Sequence, residues 1–289
     1  MNPSPHVAIV GAGIAGLSCA AALQQGGLEV SLFEKSRGPA GRMSTRRGDD
    51  WQCDHGAQYF TARHPAFVAE LTRWIHAGVA QQWNPRLRVL GGASSRSPDP
   101  AVERFVGFPQ MTAPARHMAD ALTVSPQTHV LELKRGQEGW QLRSAEHGWL
   151  TQSFDAVLVA VPAPQAVTLL GQPAPELAAF AGSATMRGCW ALMLRFPAAV
   201  DLPFDAAFVN EGPLRWIARD SSKPGRRGPE TWLLHASAEW SEEHLEADPS
   251  AVTAELLRAF GQLGGTATSA CTAHRWRYAD SAPTMNQGC

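Results

Sequence analysis

The sequence predicts an α/β chain in two parts, a βαβ nucleotide-binding domain carrying a three-stranded meander and a second, sheet-based domain. Three observations predict it. "VAIVGAGIAGLSCAAALQQGGLEVSLFE" (Val7–Glu34) reads as strand, glycine turn, helix and strand. "HVLELKR" (His129–Arg135) and "GWQLRS" (Gly139–Ser144) alternate as a half-exposed antiparallel sheet does, and "FDAVLVAVP" (Phe154–Pro162) follows as a continuously apolar strand. Beyond Pro164 the pattern changes to short strands, and six of the ten tryptophans fall in the second half of the chain, a composition suited to the wall of a site for a flat ligand.

In chain order, Val7–Val10 is a short strand, Ala15–Gln25 has helical composition and Glu29–Glu34 is a second strand. "PAFVAELTRWIHA" (Pro65–Ala77) opens on proline and repeats apolar residues at helical spacing. Ser94–Pro100 and Ser221–Pro229 are loops by composition, and Pro114–Leu122 is a helix. The run of Val, Leu and Ala in Phe154–Pro162 suits a strand buried on both faces. Strands are expected at Cys189–Phe196, Leu214–Asp220 and Thr231–Trp240, and a helix at Ser250–Gly261. No internal repeat or low-complexity tract interrupts this order. The expected limits are residues 1–60 and 101–165 for the first domain, with 270–289 returning toward it, and 61–100 and 166–269 for the second.

Composition excludes several classes. The 289 residues are 44% hydrophobic and 18% charged, with a net charge of -1, so the basic footprint of a nucleic-acid or acidic-membrane binder is lacking. The five cysteines (Cys19, Cys53, Cys189, Cys271, Cys289) are odd in number, scattered, and set neither as C-x-x-C nor beside metal-spaced histidines. They read as reduced, mostly buried thiols, and no metal is expected. The start has no basic n-region, and the weakly charged run Ala156–Ala178 is broken by Pro162, Pro164, Pro173 and Pro175, so neither reads as a leader or a membrane span. A cytoplasmic protein is expected.

Gly11, Gly13 and Gly16, with Ala12 and Ala15 between them, match G-x-G-x-x-G. The first glycine allows the tight turn, the second lets the backbone approach a pyrophosphate, and the third packs helix on strand. The helix N-terminus then offers N–H groups and a positive dipole end to the phosphates. Glu34 ends the second strand 23 positions after Gly11, where a carboxylate can bind a ribose diol. These residues alone leave NAD and FAD both open.

The continuation, "EKSRGPAGRMSTRR", sets Arg37 and Arg42 around Gly38 and Gly41. It resembles the R-x-G-G-R signature of the flavin-containing amine oxidase superfamily, with Pro39 and Ala40 in place of a second glycine pair. That resemblance implies FAD, with Lys35, Arg37, Gly41, Arg42 and Met43 along the cofactor and the second arginine against its pyrophosphate. "CDHGAQYFTAR" (Cys53–Arg63), taken with "GRMSTRR", resembles the renalase-like branch of the superfamily. It implies that Gly56, Ala57, Gln58 and Tyr59 run back along the cofactor toward the isoalloxazine, that Ala160 and Pro162 touch FAD again, and that Val130 makes a backbone contact to adenine. Family members end on a "GD"-containing strand-to-helix segment, whereas this sequence stops at "APTMNQGC"; the expectation is that about thirty to forty residues, a last strand and helix, are lacking.

The implied activity is oxidation of dihydro-NAD(P) isomers to NAD(P)+ with O2 giving H2O2, the substrate being a dihydronicotinamide nucleotide. In such chemistry the flavin carries the redox step, so no side-chain acid or base need appear. The lysine that amine oxidases of the superfamily hold late in the chain has few candidates, since only Lys35, Lys134 and Lys223 exist and the last lies in a Gly/Pro loop. Tyr59, Trp216, Arg219 and His235 are the candidate catalytic-pocket residues. The competing roles are sheet packing for Trp216 and His235 and a local ion pair for Arg219. A flavin amine oxidase or desaturase, and a non-catalytic nucleotide-binding protein, remain as alternatives.

Overall fold

The computed structural model describes residues 4–92 and 102–282; the expected loop at Ser94–Pro100 and the terminal Cys289 lie outside the described residues. The chain divides into two compact units, one of Met1–Met43, Ala115–Met186 and Ser281–Cys289 and one of Ser44–Pro114 and Arg187–Asp280.

The first unit is built on a four-stranded parallel sheet in the spatial order Ala156–Val159, His6–Val10, Glu29–Phe33, Thr123–Ser125. Strand side chains alternate between faces. Val7, Ile9, Val30 and Leu32 therefore pack with Leu17 and Ala20 of the helix Ile14–Gln25, while Ala8, Val10 and Phe33 pack with Leu133, Leu142 and Phe154. Leu133 and Leu142 come from the antiparallel meander Val130–Gly136, Gly139–Ser144, Gly148–Trp149. Burial on both faces explains why the two leading strands read as unbroken apolar runs.

The second unit is built on a six-stranded sheet in the order Cys271–Ser281, Met186–Phe196, Glu230–Ala236, Leu214–Arg219, Ala206–Val209, Leu87–Leu90. One face carries Trp190, Leu192, Leu194, Ile217, Trp232 and Leu234 against Val252, Leu256 and Phe260 of the helix Pro249–Gln262. That helix starts where it does because the Asp248 carboxylate accepts from Ser250 N at 2.8 Å and Pro249 occupies the first turn. The opposite face carries Ala191, Met193 and Leu233 against Cys53.

Several expectations change. Phe154–Pro162 is not a strand buried on both faces: the strand is Ala156–Val159, it lies at the edge of its sheet, and Leu158 is 37% exposed. Composition does not distinguish an edge strand from a central one. Two helices, Ala163–Leu170 and Pro175–Gly182, follow where short strands were expected, because Pro164 and Pro175 sit in first turns, which tolerate proline, rather than acting as breakers. The strand expected to reach Trp240 ends at Ala236, and Ser237 caps a helix Ala238–Glu243 by accepting from Trp240 N at 3.2 Å.

The units also part the chain at other positions than the expected limits. Residues 44–60 fall in the second unit because Thr45–Arg47 and Gln52–Asp54 form a ribbon that sends Cys53 into the large sheet. Residues 102–114 join it through the pairing of Phe105–Gly107 with Ala80–Gln82, and residues 270–280 through the edge strand Cys271–Ser281. The helices after Pro162 stay with the first unit.

Candidate functional site

The glycine turn of the first unit is built by close approach. Gly11 has φ +106°, and a Cβ there would lie 2.6 Å from the Ala160 carbonyl oxygen; a Cβ at Gly16 would lie 2.0 Å from that of Gly11. Both positions therefore require glycine. Gly13 differs, since a Cβ on it would meet nothing within 4 Å. It is the N-cap of Ile14–Gln25 and supplies no capping side chain, so the helix presents its first-turn N–H groups beside open space.

Glu34 is buried and accepts from Ala12 N at 2.9 Å and Ser36 N at 2.8 Å, which clamps it to the turn. Lone pairs remain on both oxygens for ribose hydroxyls. The basic stretch folds back onto the same turn: Ala40 bridges Gly13, donates to Ala12 O at 3.0 Å and sits at φ +121°, followed by Gly41 at φ +54°. The Ala40 departure thus occupies a backbone geometry that glycine adopts without strain. Lys35, Arg37 and Arg42 are exposed, Met43 packs on the helix-side core, and Ala15 is exposed in the first helical turn. Ala160 lies against Gly11 and Gly16, whereas Pro162 caps the following helix and Val130 is buried in the meander-side core with Phe33. An open helix terminus, an adjacent glycine turn and a clamped acid fit a dinucleotide.

The second unit holds Gly56, Ala57, Gln58, Tyr59, Trp216, Arg219 and His235. In Leu214–Arg219 the register slips between Leu214 and Trp216, so Trp216 stands opposite His235, on the sheet face away from the helix Pro249–Gln262. Tyr59 joins it with ring centroids 5.5 Å apart, and Phe208 with centroids 4.9 Å apart. Trp216 is 5% exposed, and its indole nitrogen has no hydrogen-bond partner among the described residues.

Arg219 is not part of that group. Alternation sends it to the helix-covered face with Ile217, where it donates to Glu230 at 2.7 Å and Val200 O at 2.9 Å, and its guanidinium carbon lies 4.9 Å from the Trp232 ring centroid. The expectation that it lines the pocket is corrected; the local ion pair holds.

Lys223 is corrected more sharply. The expected loop at Ser221–Pro229 holds from Lys223 onward, but a 3-10 turn at Asp220–Ser222 opens it and turns the lysine inward, to 2% exposure. Its Nζ donates to Asp220 Oδ1 at 2.7 Å, Asp54 Oδ2 at 3.2 Å and Gln58 Oε1 at 3.2 Å. An ammonium has three donors, and all three are matched. Arg226 also donates to Asp54. Burial alone would raise the Asp54 carboxyl, but Lys223 and Arg226 outweigh it and hold it at about 2. Asp220 is pushed up by burial and then by the charge of Asp54. Gln58 is fixed from its other end by donation to Asp54 O at 2.6 Å. Partners 165 and 169 positions apart leave no local signal, so the sequence reading missed this cluster.

It also missed a histidine group. His55 O accepts from His235 Nε2 at 3.0 Å and from Trp276 Nε1 at 2.9 Å, with the His274 ring centroid 4.7 Å from that of His55. Burial lowers His55 to about 3, with His274 adding to it, and lowers His235 to about 4. Both are neutral at pH 7. Among the described residues four cysteines are free, and burial pushes the Cys189 thiol up to about 12 and Cys53 well above its ordinary value, so neither is a nucleophile.

Comparison with known proteins agrees with this geometry. Residues 9–71 match the family described as NAD(P)-binding Rossmann-like domain. An L-amino-acid oxidase of Siganus canaliculatus is 37% identical over 87 residues, 29% of this chain and 16% of that protein. The tRNA 5-methylaminomethyl-2-thiouridine biosynthesis bifunctional protein of Magnetococcus marinus is 30% identical over 204 residues, 56% of this chain and 30% of that protein. The chain thus spans less than a third of the length of these curated relatives. Among solved structures, a putative protoporphyrinogen oxidase from Exiguobacterium superposes with a TM-score of 0.74 at 14% identity, covering 97% of this chain and 88% of that one. Putrescine oxidase bound to putrescine superposes with a TM-score of 0.65 at 13% identity, covering 94% and 84%. At such identities the likeness shows the fold. The chain is of the class in which a Rossmann-like dinucleotide domain is joined to a second, sheet-based unit. Its relatives include oxidases, and with the Rossmann-like domain they indicate FAD as the dinucleotide. Among the described residues no helix is long and apolar enough to cross a membrane.

Proposed function

We propose that the chain is an FAD-dependent oxidase of renalase-like type, oxidising dihydro-NAD(P) isomers to NAD(P)+ in a cytoplasmic setting. The first unit is the FAD-binding domain and the second the substrate domain. In this reading the Gly11–Gly16 turn, Glu34 and the Arg37–Met43 stretch hold the dinucleotide, Ala160, Pro162 and Val130 add backbone contacts, and Gly56–Tyr59 belongs to the flavin-facing segment. When bound, FAD supplies hydride acceptance and reoxidation by O2, which with two protons gives H2O2.

The observation that carries the reading is the state of Lys223. It is the one lysine of the second unit, and each of its donors is taken by Asp54, Asp220 or Gln58. A lysine so held keeps Gln58 in place and is engaged within its own cluster rather than turned as a base toward a substrate. A dihydropyridine needs no such base, because it becomes aromatic as hydride leaves; it needs orientation and a dry wall. Tyr59 and Trp216 offer that wall, and His235, neutral and hydrogen-bonded to His55 O, completes it without adding charge.

Amine oxidation is the second reading, favoured by the burial of Lys223 beside Gln58. The two are separated by supplying FAD-loaded protein with 2- and 6-dihydro-NAD isomers, benzylamine and putrescine, and measuring peroxide against product. Equal peroxide and NAD+ from the dihydro isomers supports the first; peroxide from an amine alone supports the second.

A further inference from the structure

On the same face of the second unit the Arg104 guanidinium carbon lies 5.4 Å from the centroid of the Tyr59 ring. The exchange of backbone hydrogen bonds between Phe60 and Phe105, at 2.8 and 2.9 Å, fixes the two segments side by side. Arg104 donates to Val102 O at 2.9 Å, but its Nε is buried without a hydrogen-bond partner among the described residues. Tyr59 in turn meets Trp216, whose indole N–H is likewise buried and without a partner among the described residues.

Two buried donors without acceptors among the described residues are costly in a folded protein, and a side-chain shift that turned either toward a ligand oxygen would relieve that cost. A guanidinium recognises an anionic oxygen group by its planar fork, and the half-buried Tyr59 ring, backed by the buried Trp216, offers an edge to a flat ring. We propose that Arg104, Tyr59 and Trp216 form a subsite for a planar ring that carries a phosphate, with Arg104 taking the anionic oxygens and the rings taking the plane. This rests on the reading of the chain as acting on dihydronicotinamide nucleotides and names the part of the molecule that would be recognised: the ring-linked phosphate, not the redox ring alone.

The test is a binding measurement that needs no turnover. FAD-loaded protein is titrated with nicotinamide mononucleotide and with nicotinamide riboside, which differ only by the phosphate, following tryptophan fluorescence. Wild type should bind the mononucleotide at least about tenfold more tightly. That preference should vanish in Arg104→Met, with riboside affinity unchanged, and fall to an intermediate value in Arg104→Lys, which keeps the charge and loses the fork. Equal affinity for both probes in wild type, or a preference that survives both substitutions, overturns the proposal. Should Arg104→Met not fold, the Arg104→Lys comparison decides alone. A phosphate preference that depends on Arg104 in protein that oxidises no dihydronicotinamide would leave the subsite standing and remove the oxidase reading.

Discussion

Lys223 Nζ lies 3.2 Å from Gln58 Oε1, inside a cluster that neither residue could form in isolation. Asp54, Asp220 and Arg226 enclose the lysine, and the side chains of Lys223 and Asp54 have no exposed surface. Removing one partner of a buried charge cluster leaves the others uncompensated. Lys223→Met should therefore destabilise the protein by about 3 to 5 kcal/mol in denaturant titration. It should also free Gln58 Oε1 while Nε2 stays bonded to Asp54 O, readable as a changed visible spectrum of bound flavin. A loss under about 1 kcal/mol would mean that the cluster is hydrated and open.

The histidine group gives a pH dependence with a definite sign. His55 and His235 titrate near 3 and 4 in the folded chain, below the ordinary histidine value of 6.5. The unfolded chain then binds protons that the folded chain refuses, so stability is complete above pH 6.5 and falls as pH drops from there toward 4. Each unit of separation is worth about 1.4 kcal/mol. Urea midpoints at pH 7.5, 6.0 and 5.0 should decline, and His235→Gln should flatten the decline. Asp54, held at about 2, adds a later loss below its ordinary 3.8.

Ala40 sits at φ +121° with its side chain buried against the glycine turn. Strain of this kind is of order 1–3 kcal/mol, and glycine adds about 0.4–1 kcal/mol of unfolded-state entropy against it. Ala40→Gly should raise stability by about 1 kcal/mol. A lowered thermal midpoint would show that the methyl group's packing outweighs the strain.

Gly13 and Gly16 should respond differently to alanine. At Gly16 the methyl carbon would meet the Gly11 carbonyl at 2.0 Å and the fold itself should suffer. At Gly13 it meets open space, so Gly13→Ala should leave the flavin-free protein within about 1 kcal/mol of wild type while weakening FAD retention. Unchanged flavin content in Gly13→Ala would place the pyrophosphate elsewhere.

What was legible in the sequence follows the range of the interaction. The βαβ opening and Glu34 could be read because strand, turn and helix signals lie within 34 residues, and the meander because its alternation is local. Arg219 was misplaced although the signal was local: it stands three positions after Trp216 with no register slip between them, and an odd spacing in a strand puts the two on opposite faces. The Asp54, Lys223 and Gln58 contacts, the His55 group and Arg104 were invisible for another reason. Each depends on strands or loops far apart in sequence, and the Gly/Pro setting of Lys223 resembles that of any solvated loop.

The most direct measurement is anaerobic stopped-flow mixing of FAD-loaded protein with 2- and 6-dihydro-NAD isomers and, separately, with benzylamine and putrescine, following flavin absorbance. Rapid bleaching by at least one dihydro isomer and none by the amines is expected, since Lys223 is engaged by Asp220, Asp54 and Gln58 rather than turned toward a substrate. Bleaching by an amine with none by either dihydro isomer would contradict it.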